Sequence, residues 1–213
     1  MKRILLTSGL LAALSMTASA APYVLPTPQP GALTPYDWQP TYQIEALYGF
    51  TSPSEVFADM WGPRLSLNLY SNQEATFRHQ WSVNVAGMWG DDTKSISLYG
   101  EQVSLKRDQF LLPITLGYDL NIALTDEILF YVDGKAGVAI SRLKWKEKES
   151  GIEVKDNDTK FTFLVGAGFK IIASDAIQIK AGYEYQRAYF DRTLGINKTL
   201  SMHVISLGVG VTF

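Results

Sequence analysis

Histidine, the side chain that most often performs acid–base catalysis, is scarce in this 213-residue sequence. The chain has two histidines, His79 and His203, and Ser201 lies two residues before the second. A serine beside a histidine can become a nucleophile when a carboxylate orients the ring, as in an acyl hydrolase or acyltransferase. On an extended strand, Ser201 and His203 share a face with Ile205, while the candidate carboxylate Glu184 points the other way on its own strand. We therefore predict that the chain is not an enzyme and has no catalytic residues.

Cofactor, metal and nucleic-acid chemistry also lack support. With no cysteine and two distant histidines, the sequence offers no set of zinc or iron–sulfur ligands and no disulfide scaffold. Glycine pairs such as Gly166 and Gly168 are not followed by a helix that could cradle phosphate. The net charge of −2 gives no overall basic field for nucleic acid. We predict no cofactor, no metal and no nucleic-acid partner.

Nine charged residues recur on one face of successive segments whose apolar and polar residues alternate. Four acids and five bases nearly cancel. If that face is enclosed, the charges must pair, because an unpaired buried charge costs several kcal/mol. The nine residues are Glu45, Arg64, Arg78, Asp119, Asp133, Lys135, Lys170, Lys180 and Glu184.

The segments that carry these charges have the period-two alternation of β-strands, and no helical spacing of apolar residues is found after residue 40. One face of each segment is large and apolar, and the other is small or polar. Eight such segments follow one another, and their apolar faces begin at Tyr42, Leu65, Phe77, Phe110, Ile128, Phe161, Ile177 and Ile205. Pro113 interrupts the fourth segment and has no N–H for a ladder, so a bulge or a water partner is expected there.

The same alternation fits a soluble barrel or sandwich with its apolar face inside, and a transmembrane barrel with that face in lipid. The second is favoured because the polar faces are rich in glycine, which suits a crowded interior. Aromatic residues also gather at the strand ends on the apolar face, as in interfacial girdles, and the chain stops within a strand. We predict an all-β fold, an eight-stranded antiparallel up-and-down transmembrane β-barrel over residues 41–213.

The N-terminus has a different organisation. Lys2 and Arg3 precede an apolar run and the small residues Ala18-Ser19-Ala20, which is the pattern of a cleaved Sec signal peptide over residues 1–20. Residues 21–40 contain six of the nine prolines. We interpret them as a periplasmic spacer, with a partner-binding PxxP segment as the alternative.

Connections of unequal length set the expected topology. Short turns near residues 71–75, 121–126 and 173–176 should lie on the periplasmic side, and longer connections near 51–62, 91–109, 144–159 and 187–200 should face outward. Glycines near the midpoints of the last three long connections favour hairpins that continue as a sheet, with mobile loops as the alternative. Aromatic side chains that could recognise a ligand there are Trp61, Tyr99, Trp145 and Tyr189.

The lumen of an eight-stranded barrel is only just wide enough for its own side chains. The nine charges are therefore expected to form a network that fills the lumen, rather than an ion-conducting pore.

Several segments resemble the small outer-membrane β-barrels of the opacity/porin-like family. The central strands of that family are similar to Leu112–Tyr118 and Tyr131–Val138, and its later strands to Phe163–Phe169 and Ala181–Tyr185. The ending, with Leu207, Val209, Val211 and Phe213 in alternation, resembles the terminal signal that barrel assembly machinery reads.

The resemblance implies a monomer in the cell outer membrane, in contact with outer-membrane lipid and assembled by that machinery. It does not imply one activity, because members are adhesins, structural proteins and occasionally channels or lipid-modifying enzymes. We expect a structural or adhesive role, with a host or surface ligand bound through the outward hairpins. A narrow porin-like channel is the first alternative and a lipid-modifying enzyme the second.

Overall fold

The structure is a computed structural model that describes residues 41–52, 57–73, 77–98, 101–148, 150–174, 176–193 and 196–212. The expected signal peptide, the proline-rich segment, Tyr99 and Phe213 lie outside these ranges. Among the described residues, no helix has the length and apolar character needed to cross a bilayer.

Antiparallel strands make up nearly all of the described chain. In chain order they are β1 (Thr41–Ser52), β2 (Met60–Gln73), β3 (Phe77–Ala86), β4 (Met88–Leu98), β5 (Glu101–Ala123), β6 (Ile128–Glu147), β7 (Glu153–Ser174), β8 (Ile177–Thr193) and β9 (Ile196–Thr212). Because β1 pairs with both β2 and β9, the sheet closes on itself.

The ring has eight strands because β3 and β4 are two parts of one strand, separated at Gly87. Two prolines explain the interruption. In the registers with β2 and β5, Pro63 faces Gly87 and Pro113 faces Ala86, and neither proline has an N–H to donate. Gly87 N donates to Pro63 O at 3.0 Å. The residue pairing of β5 continues through Pro113 without a register shift. The interruption therefore lies in the neighbouring strand, between β3 and β4, and no bulge forms at the proline itself.

Barrel closure follows from the stagger of the strands. Following paired residues from strand to strand around the ring leads back to β1 at a position ten residues after the starting one. A stagger of this kind requires strands that are tilted relative to the barrel axis. The path runs through Tyr42, Leu67, Val83, Leu116, Ala136, Phe163, Arg187, Ser201 and Ser52.

The two faces of the sheet have different chemistry. Along β1, buried and exposed residues alternate without exception, and the buried ones include Gln43 and Glu45. The exposed face carries large apolar side chains, including Leu65, which is 60% exposed. The strand registers and face chemistry confirm the prediction of an all-β, eight-stranded antiparallel transmembrane β-barrel.

Aromatic residues form two bands on the outer face. Near the end where residues 41 and 212 lie (the terminal end), Trp81 contacts Tyr118 with ring centroids 5.0 Å apart. Toward the other end (the hairpin end), Trp89 contacts Trp61 and Phe110, with ring centroids 6.3 and 5.5 Å apart. These bands bracket an aliphatic zone, as the girdles of membrane barrels do.

Four strands rise beyond the second aromatic band. The β4–β5 hairpin remains paired out to Leu98 and Glu101, and the β6–β7 hairpin out to Lys146 and Glu153. The turn of the β6–β7 hairpin contains Gly151 at φ 72°, a left-handed conformation that favours glycine. Much of the connections expected at residues 91–109 and 144–159 is therefore ordered sheet. We call residues 91–98, 101–109, 142–147 and 153–159 the sheet extension.

Candidate functional site

The inner face of the barrel holds a network of ion pairs centred on Arg64 of β2. Its guanidinium donates to Glu184 of β8 through two nitrogens, at 2.7 and 2.5 Å, and to Glu45 of β1 at 3.0 Å. All three side chains are at most 3% exposed. The bidentate pair therefore joins strands from opposite halves of the sequence.

Two lysines extend this network across the lumen. Lys135 of β6 donates to Glu184 at 2.8 Å and to Asp133. The Lys180 ammonium of β8 lies 3.4 Å from Glu45 and 3.7 Å from Asp133. Each carboxylate in this group faces at least two cations, which offsets the cost of removing the charges from water.

A second cluster lies closer to the terminal end. Lys170 of β7 donates to Asp119 of β5 and to Gln80 of β3, both at 2.9 Å. The Tyr131 ring lies between the clusters, with its centroid 5.1 Å from the Lys170 ammonium and 4.5 Å from that of Lys180. Such cation–π contacts strengthen when water is excluded.

Glycine makes room for that tyrosine. A methyl group at Gly182 would collide with the Tyr131 hydroxyl, and one at Gly168 would press on its ring. The glycines that sequence analysis interpreted as packing positions therefore border the aromatic ring that joins the two clusters.

Eight of the nine charged residues expected inside the barrel lie in these clusters. The ninth, Arg78, is half-buried, and its backbone carbonyl accepts a hydrogen bond from Asn121 at 3.1 Å. No carboxylate of the described residues lies within ion-pair distance of its guanidinium. Without Arg78, the buried set has four acids and four bases and is formally neutral.

Tyr131 and Gln80 belong to this network and were missed by sequence analysis. The sequence did contain a signal for Tyr131, because Tyr131 lies two residues before Asp133 and therefore on the same face of the strand.

An apolar layer fills the lumen on the hairpin side of the charges, which sequence analysis did not anticipate. The inner face was expected to be small or polar throughout, and this expectation is wrong. Leu47, on the same face as Glu45, was the sequence hint. Members of the layer that are at most 4% exposed are Leu47, Phe57, Met60, Ala86, Met88, Leu111, Ala139, Leu164, Ala188, Leu200, Met202 and Val204.

The two layers leave little open space between them. A cavity lined by Leu47, Arg64, Asn84, Met88 and Gln186, among others, can hold about one water molecule. The described lumen is therefore packed by an apolar layer above a neutral ionic layer.

The two histidines lie on the outer face, apart from the buried carboxylates. His79 and the Tyr118 hydroxyl are 2.5 Å apart, and His203 contacts the Tyr183 hydroxyl. Ser201 accepts a hydrogen bond from Tyr185 at 3.1 Å and makes none with His203 among the described contacts. No group of three metal-ligating side chains occurs in the described ranges.

The aromatic residues expected to recognise a ligand do not form one site. Trp61 belongs to the outer aromatic band, where it contacts Trp89. Tyr189 lies on the outer face, with Arg187 5.1 Å above its ring. Trp145 lies on the inner face of the sheet extension, 5.6 Å from the guanidinium carbon of Arg107. The fourth, Tyr99, is outside the described residues.

The expected assembly signal lies on β9. Leu207 and Val209 face outward and are 60% and 41% exposed, and Val211 is half-buried. Phe213, the terminal residue of that signal, lies beyond the described part of the strand.

A family model described as outer membrane protein beta-barrel domain matches residues 8–213. No curated protein sequence matches the chain.

Among solved structures, the barrel is similar to Neisserial surface protein A, with a TM-score of 0.52 and 17% identity over 82% of this chain and 97% of that one. It is also similar to a major outer membrane protein from Thermus thermophilus, with a TM-score of 0.55 and 9% identity over 82% of this chain and 99% of the other. The outer membrane protease OmpT from Escherichia coli has a TM-score of 0.52 and 8% identity over 82% and 97% of the two chains. Likenesses at these identities show the fold.

Proposed function

We propose that this chain, which belongs to the outer membrane protein β-barrel family, is a non-conducting, non-enzymatic barrel that presents its sheet extension as a structural or adhesive surface. The family places the protein in the cell outer membrane. Export by the signal at residues 1–20, assembly through the C-terminal strand and a monomeric state are parts of the same proposal.

The observation that carries this proposal is the length of the central strands. β5 and β6 remain paired from Leu105 and Glu147 to Ala123 and Leu129. A tilted membrane strand needs only about 9–11 residues. The remaining length forms a sheet beyond the aromatic band, at the end opposite the short turns, where barrels of this kind face the outside.

Polar contacts connect neighbouring strands of the sheet extension. Arg107, whose side chain is 1% exposed, forms an ion pair with Asp92 on the neighbouring strand. Glu153 accepts from Lys155 at 2.8 Å and from Lys144 at 3.1 Å, and these bonds lower the pKa of its carboxyl below the ordinary value. An ordered surface loses less conformational entropy on binding than a flexible loop does.

Adherence of cells that display the protein tests the adhesive role. Ile152 is 64% exposed at the tip of the β6–β7 hairpin, and exposed apolar residues on an ordered tip suit contact with another surface. We expect Ile152→Ser, and a variant with the hairpin shortened below residue 144, to reduce adherence to epithelial cell layers severalfold.

The matched control is Leu124→Ser, because Leu124 is 57% exposed in the turn at the terminal end. It should leave adherence unchanged. If the shortened hairpin adheres as well as the wild type, the adhesive role is contradicted and the structural role is what remains.

The packed lumen argues against the channel alternative. Met60, Met88, Leu111 and Met202 are fully buried inside the barrel, above the ionic layer. We expect the purified protein to produce no stable conductance steps in planar lipid bilayers. A stable step that Lys135→Gln abolishes would overturn this expectation.

The lipid-modifying alternative has no geometric support. Glu184 lies inside the barrel and His203 on its outer face, so the sheet separates them.

A further inference from the structure

The outer face of the sheet extension has an excess of positive charge on three adjacent strands. It carries five basic residues on β5, β6 and β7, against Asp108 and Glu153 on the same strands and Asp91 on neighbouring β4, so the described face has five bases and three acids. We call the basic residues together the basic face. They are Lys106, Arg142, Lys144, Lys146 and Lys155.

Strand register places like charges directly opposite each other on this face. Lys106 faces Lys146, and Lys144 faces Lys155. Like charges in opposed positions destabilise an antiparallel sheet. Glu153 bridges the second pair from within the chain, whereas the first pair has only Asp108, beside Lys106, so an anion outside the chain would relieve its repulsion.

The acids of the chain neutralise only part of this charge. Lys106 binds Asp108 at 3.2 Å, while Lys144 and Lys155 share Glu153. Arg142 donates to the Asn157 side chain at 3.4 Å. In the described part of the chain, no carboxylate lies within ion-pair distance of Arg142 or Lys146, and both are exposed.

The basic face begins where the lipid-facing surface ends. Arg142 is paired with Phe110 of the aromatic band, and Ile140, two residues nearer the membrane, is 39% exposed on the apolar face. Lys144 and Lys146 follow on the same side of β6, roughly 7 and 13 Å farther along the strand at about 3.3 Å per residue. Aromatic girdles mark the membrane interfaces, so basic side chains just beyond the band are at the level of the lipid headgroups.

We propose that the basic face binds the phosphate groups of phosphorylated glycolipid headgroups in the outer leaflet. Clustered lysine and arginine beside a membrane attract anionic lipid. A guanidinium and ammonium groups donate strong, charge-assisted hydrogen bonds to phosphate oxygens. A lipid is favoured over a soluble polyanion because the face continues the lipid-contacting surface without a break. The bound headgroups would fix one side of the barrel against the leaflet.

The test uses the full mature chain in neutral detergent micelles and measures retention of bisphosphorylated lipid A by native mass spectrometry. The triple variant Arg142→Gln/Lys144→Gln/Lys146→Gln removes three charges from the basic face. At about fivefold per charge, we expect affinity to fall about a hundredfold. Dephosphorylated lipid A should bind the wild type as weakly as lipid A binds this variant, and high salt should weaken wild-type binding.

The control is Lys94→Gln/Lys160→Gln, which removes two positive charges from the same end of the barrel, both at inward strand positions and neither on the basic face. It should lose less than about fivefold, and heat-modifiable gel migration should show that both variants fold. Equal losses in the two variants, or full retention in the first, would overturn the proposal. So would a triple variant that loses dextran sulfate binding and keeps lipid A, since that result assigns the face to a soluble polyanion.

Discussion

Replacement of Glu184 by glutamine is expected to destabilise the folded barrel by about 3–5 kcal/mol, because it leaves buried cations without their shared partner. The Glu184 carboxylate binds Arg64 through two hydrogen bonds and Lys135 through one. Glutamine keeps the shape of the side chain but loses its charge. Arg64 would then depend on Glu45, and Lys135 on Asp133, inside a packed lumen with room for about one water molecule.

The measurement is the free energy of urea unfolding in lipid vesicles, followed by tryptophan fluorescence. Glu153→Gln is the matched control, because its carboxylate also binds two cationic side chains, but on the exposed sheet extension. We expect it to leave the free energy of unfolding unchanged, since solvent screens such pairs. If the two variants have the same stability, the buried network does not stabilise the barrel in the way that the contacts imply.

The direction in which each side chain points could be predicted from the sequence, because a strand alternates its faces strictly. This alternation alone placed Glu45, Arg64 and Glu184 on one enclosed face. It could not pair them, since contact across the lumen depends on the height of each residue along the barrel axis. Height follows from the ten-residue stagger and from bulges such as the one between Asn68 and Tyr70, which local alternation does not reveal.

The apolar layer was missed for a related reason. Alternation predicts that Met60, Met88 and Met202 point inward, but each lies near the end of an alternating segment. At that place the sequence does not distinguish a residue inside the barrel from a residue of a connecting loop. Only the register places them at one level above Arg64. The break between β3 and β4 likewise requires Pro63 and Pro113 on two neighbouring strands to be considered together.

Substitution of Leu65 by arginine is expected to destabilise the barrel in a bilayer by about 2–4 kcal/mol, the cost of a cation on the lipid face at the midplane. Leu65 is 60% exposed and faces Val85. Val85 lies four residues from Trp81 and four from Trp89, so Leu65 stands midway between the two aromatic bands. An equally exposed leucine on a soluble sheet would tolerate arginine with little change.

The matched comparison is Ile152→Arg, because Ile152 is 64% exposed at the hairpin tip, beyond the aromatic band. Both substitutions place the same charge on an equally accessible apolar site, and they differ in the medium that the site contacts. In vesicles, the Ile152 variant should match the wild type within about 0.5 kcal/mol, as surface substitutions do. Equal effects at the two positions would contradict the lipid-facing orientation of the sheet, whereas a difference confined to Leu65 places hydrocarbon around the aliphatic zone and water around the sheet extension.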